Sequence, residues 1–481
     1  MNIKKLMIFI LFILIFITAC QNDNNPVKEN NQTETISTAQ TEINYYKNIP
    51  AGLNFDGYAF TVLTWDPAIG NDSLIIVGEI TGEVLNDAAY DRNLEVMQLL
   101  NIDIVPYYQD YSQFYNIIVK DNAAGDCTYD IVTPWGGRSN ANNLIIENQL
   151  YDWNKVPYVD FEADWYNQSA NEAFTVLGKQ FYCVSDILGY GRQGGYLFLF
   201  NKELFVDYGL EYPYQLVYDQ KWTYDALRAY IKDTYNDLNG DGKKDAGDFF
   251  GISTHPIPLA VAIMNWGESP LKLNENGFVL NIFNNRIADM VDRLTELAQS
   301  PDVFYTETNI HDNFNAGRSL FEIYASDPKM LRELDFDFGY LPYPKYNEAQ
   351  PDYIGIADGA AMGIPLSRSE EQVSRTGAII EALSGASNKY MIDAFVKQYI
   401  ENKVLRDEDS VNMYYIQRRG VIYELARAFD NTNLINPYFN YYVDILKSTN
   451  GSVNLASQYA KHADMLQASL DNLYEMILEN Q

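Results

Sequence analysis

The sequence predicts an α/β protein of two domains. Two observations carry this. Apolar and polar residues alternate between strand and helix periods from Tyr58 to Trp135 in the order strand, helix, strand, helix, strand, the pattern of a parallel sheet. In addition, ~435 residues follow an amino-terminal signal and a polar tether, enough for two domains of roughly 200 residues each, and 47% of the chain is hydrophobic.

The leader comes first in the chain. Lys4 and Lys5 precede an unbroken apolar run, Leu6 to Ile17, and Thr18 and Ala19 are small residues before Cys20. Residues 1–19 therefore read as a signal peptide, and the run is short for a membrane span. Ile17-Thr18-Ala19-Cys20 resembles the lipobox of bacterial lipoproteins. That resemblance implies cleavage before Cys20 and a diacylglycerol on its sulfur. Two acyl chains at ~0.8 kcal/mol per buried CH₂ would then hold the protein on a membrane. A plain secreted protein is the alternative. Residues 20–45 are rich in Asn, Gln, Thr and Glu with little to bury, the composition of a disordered tether.

Tyr58–Trp65 alternates and is β-rich, the first strand. Glu83–Leu100 follows as a helix with Leu85, Ala88, Ala89, Val96, Leu99 and Leu100 inward. Ile102–Tyr108 is the next strand, then a helix near Ser112–Ala124 and a strand at Tyr129–Trp135. Ligands of such sheets sit beyond the carboxyl ends of the strands, where Trp65, Asp66 and Trp135 fall.

A second block opens at Gly194–Phe205 and contains helices at about Thr223–Asn236 and Asn285–Gln299. The last helix carries Leu455, Tyr459, His462, Leu466, Leu470, Leu473 and Ile477 at three- and four-residue steps, a core-facing stripe.

Between them lies DLNGDGKKDAGDFFG, Asp237 to Gly251. With Asp237 at position 1, Asn239, Asp241, Asp245 and Asp248 occupy positions 3, 5, 9 and 12, Lys243 offers a carbonyl at 7, and Gly242 permits the turn at 6. This is the oxygen pattern of a Ca²⁺ loop, with Asp in place of the usual final Glu. A sensor needs paired loops, and FFGI reads as a strand rather than an exiting helix. The expectation is a structural Ca²⁺ clip; a loop held by Asx-type hydrogen bonds without metal is the alternative.

Sixty-five acidic residues against 34 basic ones give a net charge of −31. This argues against nucleic acid and anionic membrane surfaces as partners. Cys127 and Cys183 are too few for a disulfide scaffold, and whether they pair stays open. The three histidines, His255, His311 and His462, show no metalloprotease spacing, and no G-x-S-x-G elbow occurs. A surface glycosidase would need two carboxylates about 5–10 Å apart, and nothing marks such a pair.

Several segments share one resemblance. FNKELFVDYGLEYP (Phe200–Pro213), KWTYDALRAYI (Lys221–Ile231), FNAGRSLFEIYA (Phe314–Ala325), FDFGYLPYPKYNEAQPDY (Phe336–Tyr353) and IADGAAMGIPLSRSEEQ (Ile356–Gln372) together resemble family 1 extracellular solute-binding proteins. These are the substrate receptors of ABC importers. Phe200 stands where the family carries Tyr, and Trp222–Leu227 is an altered form of its helix-opening motif.

The resemblance implies two α/β lobes of periplasmic-binding-protein type with the ligand in the cleft between. Lobe 1 would be 46–187 plus about 358–420, and lobe 2 about 188–357 plus about 421–481. Crossings fall near 184–194, 353–363 and 415–425. It further implies a monomeric, non-enzymatic receptor on the extracellular face of a bacterial membrane. The receptor closes on a carbohydrate, by expectation an oligosaccharide, and delivers it to the permease transmembrane subunits. A peptide or polyamine ligand is the alternative.

Sugars offer apolar ring faces and a belt of hydroxyls, so Trp stacks and Asp accepts. Trp65, Trp135 and Trp266 are the stacking candidates, with core packing as the alternative for each. Asp66, Asp186 and Asp358 are the acceptors, with turn capping as theirs. Trp153, Trp165 and Trp222 are assigned to packing; Arg138 and Arg192 follow Gly-rich turns and could reach the cleft, but structural salt bridges are the favoured reading for both.

Overall fold

The computed structural model describes residues 43–65, 78–134, 141–188, 196–308, 311–325, 334–357, 360–395, 407–425, 436–447 and 454–480. The signal, the lipobox Cys20 and most of the tether lie outside these residues, as do Asp66, Trp135, Arg138, Arg192 and Asp358.

The first sheet is parallel. β1 (Tyr58–Thr64) lies between β2 (Ile102–Tyr108) and β3 (Ile131–Val132), with Tyr58 opposite Ile102 and Val62 opposite Ile131. Single bridges widen it: Val132 to Gly363, Met362 to Cys183, and Ser185 to Tyr166. Residues from either side of residue 188 thus meet in one sheet.

The helix Val84–Leu100 packs against the helix Glu370–Asp393. It ends at Asn101, whose left-handed backbone donates its N–H to the Met97 carbonyl. Leu99, expected inward, is exposed, and Arg92 and Asn93 face the interior instead. Arg92 is held there by Asn93 Oδ1, the Ile187 carbonyl and Ser387 Oγ. The next predicted helix begins as a 3₁₀ turn, Tyr111–Gln113, and becomes α-helical over Phe114–Ala124.

Two short hairpin strands, β4 (Thr175–Val176) and β5 (Lys179–Gln180), precede the second sheet. That sheet comprises β6 (Tyr196–Asn201), β7 (Phe250–Thr254), β10 (Val303–Tyr305), β11 (Ser319–Ala325) and β12 (Phe338–Leu341) in the order β10-β7-β11-β6-β12. β10, β7 and β11 are mutually parallel, and β6 runs against both its neighbours. One face is an aromatic core in which Phe198, Phe200, Phe205 and Trp222 surround Phe321. Gly339 is required there, because a Cβ would fall 2.0 Å from the Phe200 ring. The hairpin β8 (Leu271–Asn274) with β9 (Gly277–Leu280) lies outside this sheet.

The helix predicted at 223–236 stops at Ile231. The Asp302 carboxylate accepts the N–H groups of Asp233, Thr234 and Tyr235, which takes those donors away from a continuing helix. The helix Asn285–Gln299 matches its predicted span and buries Ile287, Val291, Leu294 and Leu297.

β13 (Gly355–Ile356) pairs in parallel with β14 (Val421–Ile422). Gly420 lies against the Tyr353 carbonyl so closely that a Cβ would come within 1.7 Å of it. The helix Glu408–Arg419 departs from the sequence expectation, which assigns residues up to about 420 to the first lobe. It packs instead on β12 of the second sheet. Lys202 Nζ meets Asp407 at 2.5 Å, and the Tyr340 N–H donates to Ser410 Oγ at 3.1 Å.

The helix Leu455–Asn480 buries Leu455, Leu466, Leu470, Leu473 and Ile477, with His462 half-buried. It touches the β8–β9 hairpin through Gln467 and Tyr474. Its far end reaches the segment behind the first sheet, where Asn480 bonds the Ile146 carbonyl and Asn148. Among the described residues no helix is long and apolar enough to cross a membrane. Cys127 and Cys183 are free thiols.

Candidate functional site

The strand-end rule directs attention to the carboxyl ends of both sheets. At the first, Thr133 Oγ1 and Thr64 Oγ1 bond each other at 2.8 Å, and Trp65 is 8% exposed. Asp186 opens a 3₁₀ turn, Asp186–Leu188, and is buried. Its carboxylate accepts from Asn388 Nδ2 at 2.9 Å, and its N–H donates to the Trp165 carbonyl. Asp186 thus fastens the segment before residue 189 to the helix Glu370–Asp393.

Trp266 departs from its expected role. It caps the helix Pro256–Asn265 at 1% exposure, donates its indole N–H to the Pro344 carbonyl at 3.0 Å, and packs between Tyr224 and Tyr346. No ring face is left for a sugar. The apolar helix before it carries Trp266 into the core. Trp153, Trp165 and Trp222 are buried as expected of packing residues.

The carboxyl end of the second sheet is different. Glu322 lies within β11, opposite Ser253 of β7, and is buried. Its Oε1 is 2.7 Å from His311 Nδ1, while Oε2 has no partner. His255 follows β7 directly and opens the helix Pro256–Asn265 without a side-chain cap, and its Nε2 is also unpartnered. Thr254 Oγ1 and Tyr305 Oη, on register partners at the same strand ends, are two further buried oxygens without a partner.

Burial pushes the Glu322 carboxyl well above the usual range. Burial, with His311 adding to it, lowers His255 to about 4, and burial also lowers His311 against the pull of Asp312. The result is a buried acid beside two half-buried imidazoles whose pKa values burial lowers, with hydrogen-bonding capacity left unused. Buried polar atoms in native proteins are nearly all paired, so four such atoms on neighbouring strand ends single out this end of the second sheet. The sequence reading passed over these residues. A signal existed: Glu322 is the one charged residue in the apolar run SLFEIYA, and two of the three histidines flank the same strands.

A cavity of about 920 Å³ lies elsewhere, between the segment Glu162–Ser169 and the helix Glu408–Arg419. Glu162 and Asp164 line one side and Tyr415, Arg418 and Arg419 the other, with β14 at its edge. It shares no residue with the strand ends.

The loop Asp237–Asp248 is knit by its own backbone. Asp237 accepts from the N–H groups of Gly240 and Gly242 at 2.7 and 2.9 Å, Asn239 from Asp241, Asp241 from Lys243, and Asp245 from Gly247. Both Gly240 and Gly242 have φ of 71°. Asp248 is fully buried; Oδ2 accepts from Tyr235 Oη and the Asp245 N–H, and Oδ1 has no partner. An orphaned carboxylate oxygen suits a cation, and each bonded carboxylate oxygen keeps a further lone pair. Among the described residues, however, no three His, Cys, Asp or Glu side chains converge on a metal position. The donor set fits Ca²⁺ in kind, while the geometry is that of the Asx-bonded loop.

No family model and no curated protein matches the chain. Solved structures do. A cyclo/maltodextrin-binding protein complexed with maltotetraose aligns with a TM-score of 0.56 at 14% identity, over 89% of this chain and 98% of that one. The GacH receptor of Streptomyces glaucescens, solved unliganded and with acarbose, aligns at 0.54 and 12%, over 85% and 98%. An ABC substrate-binding protein from Listeria monocytogenes in complex with cycloalternan aligns at 0.52 and 13%, over 88% and 99%. The fold is that of the ABC solute-binding proteins. The Glu322 cluster sits at the strand ends of the second sheet.

Proposed function

We propose that this chain is the substrate receptor of an ABC importer, taking an oligosaccharide between its lobes by hinge closure and passing it to the permease. One observation carries the reading. A solute-binding fold extends over 85–89% of the chain, and at one of its sheet ends buried polar groups stand without partners. The aligned proteins are named as binding proteins or receptors, and two of them hold maltotetraose and cycloalternan. This favours capture without turnover. The unpartnered polar groups of β7 and β11 would supply hydroxyl partners, and Trp65 remains the described stacking candidate, with Asp66, Trp135 and Asp358 also in the proposal.

The lipobox-like Ile17–Cys20 and the polar tether support anchoring through Cys20 on the outer face of the membrane. In the same reading Asp237, Asn239, Asp241, Asp245, Asp248 and the Lys243 carbonyl would hold a structural Ca²⁺, which supplies charge neutralisation to the loop and nothing to ligand chemistry.

The test is a thermal-shift screen of the purified protein against mono- and oligosaccharides, peptides and polyamines, with Ca²⁺ present. A ligand at 100 times its Kd stabilises by about 2.7 kcal/mol. A shift with one glycan class supports the reading. A shift with peptides or polyamines alone keeps the fold and removes the sugar. Products released from a glycan would make the chain an enzyme.

A further inference from the structure

The cavity of about 920 Å³ beside the helix Glu408–Arg419 lies on a seam between the two sheets. One wall belongs to the first sheet. There Tyr166 bridges Ser185, its hydroxyl donates to Glu381 at 2.8 Å, and Asn388 Nδ2 donates to Asp186 at 2.9 Å. The other wall belongs to the second sheet. Its helix is capped by Asp407, which meets Lys202 at the end of β6, and Ser410 Oγ accepts the Tyr340 N–H of β12 at 3.1 Å. Each wall is thus fastened to a different sheet, and the void between them is preformed, as small-molecule sites generally are.

The walls carry opposite charges. Glu162 and Asp164 line the first, and Arg418 and Arg419 the second. Glu162, Asp164 and Arg419 are exposed and Arg418 is half-buried, so all four can be reached from solvent. Arginines in the last turn complement the dipole of their own helix. That accounts for cations on this wall, not for two carboxylates on the other. Tyr415 and Ile422, both half-buried, add apolar surface to the lining.

We infer that this cavity is a second small-molecule site, for a zwitterion of short-peptide size whose ammonium meets Glu162 and Asp164 and whose carboxylate meets Arg418 and Arg419. The inference is independent of the saccharide reading.

Its volume of about 920 Å³ falls within the ~300–1,000 Å³ of sites that enclose drug-sized ligands. Charge decides the class. Hydrogen bonds between ionised partners are stronger than neutral ones, and a guanidinium takes a carboxylate through two parallel N–H donors. A simple cation would be drawn to one wall and repelled by the other, and a simple anion likewise. A neutral sugar would make hydrogen bonds with charge on one partner only. A ligand with both charges meets each wall with its opposite.

Isothermal titration of the full chain with tri-alanine, N-acetyl-tri-alanine and tri-alanine amide tests this. Tri-alanine should bind, with each blocked form weaker by about tenfold or more. The pair Arg418→Gln with Arg419→Gln, and the pair Glu162→Gln with Asp164→Asn, should each weaken tri-alanine by about tenfold or more. These side chains are exposed or half-buried, and the melting temperature of the free protein records that each variant is folded.

Equal binding of the three peptides would overturn the inference, as would no binding of tri-alanine at ~10 mM. Tri-alanine binding that survives both double variants would also overturn it, since the peptide would then sit elsewhere. A neutral oligosaccharide that loses affinity in both double variants, with tri-alanine inert, would make the cavity the saccharide seat and leave only the saccharide reading standing. Tri-alanine behaving as expected while no oligosaccharide binds would do the reverse.

Discussion

The two sheet ends handle polar groups in opposite ways. At the first, Thr64 and Thr133 bond each other and Asp186 is fastened to Asn388. Below it the buried pair Arg368–Asp121, at 2.9 Å, is also tied to Thr128 and the Tyr129 carbonyl. At the second, Glu322, His255, Thr254 and Tyr305 each bury an atom with nothing to bond. A satisfied network stabilises the free protein. An unsatisfied one stores a free-energy cost that a ligand can relieve. The difference teaches that the described polar groups at the first sheet end are bonded within the chain, while those at the second sheet end keep unused hydrogen-bonding capacity.

The largest effect that would break this contrast is at Asp121. Asp121→Asn leaves Arg368 buried without its counter-charge and should cost about 3–5 kcal/mol in urea unfolding. A loss below 1 kcal/mol would mean that the first lobe is no better satisfied than the second. The opposite sign is expected across the molecule. Glu322→Leu removes a buried carboxyl of unused capacity and should raise the stability of the free protein by about 1–3 kcal/mol while weakening ligand binding, a trade seen at binding sites generally. A fall in melting temperature would sink the comparison.

Next comes pH. The Glu322 pKa is raised, so its contribution to stability is full below the ordinary value of 4.5 and is lost as pH rises through the raised value. The His255 pKa is depressed to about 4, so its contribution is full above the ordinary 6.5 and lost as pH falls through about 4. Glu322→Gln should therefore flatten the alkaline side of the stability profile and His255→Phe the acid side, measured by melting temperature from pH 4 to 8.

The effect furthest from both sheet ends is at the loop. Chelating Ca²⁺ should lower the melting temperature by the mass-action term, about 2.7 kcal/mol at a hundredfold excess over Kd and less below it, without changing ligand affinity. An unchanged melting temperature would favour the Asx-bonded form already visible in the backbone.

The fold was legible because periodicity reports it directly: the strands at Tyr58 and Ile102 and the helix Asn285–Gln299 lie where their patterns put them. Boundaries failed where a tertiary partner intervened, as Asp302 does when it ends the helix at Ile231. The site was less legible. Residue type makes Trp266 a stacking candidate, yet burial depends on which face of a helix end meets Pro344, and no local pattern encodes that. Glu322 and His311 are eleven positions apart and meet only because β11 returns beside β7.

The helix Leu455–Asn480 has one consequence for watching the molecule work. Gln467 is pinned to the second-lobe hairpin and Asn480 to the first-lobe segment at Ile146 and Asn148, thirteen residues apart on one rod. At 1.5 Å per residue that lever is ~20 Å long. A rotation of about 15° between the lobes would swing its tip by roughly 5 Å, beyond the reach of any hydrogen bond. If the lobes rotate as proposed, the bond from the Asn148 side-chain amide to the Asn480 carbonyl would break, and a spectroscopic label at either position would report the angle between the lobes from a point far from whatever they hold.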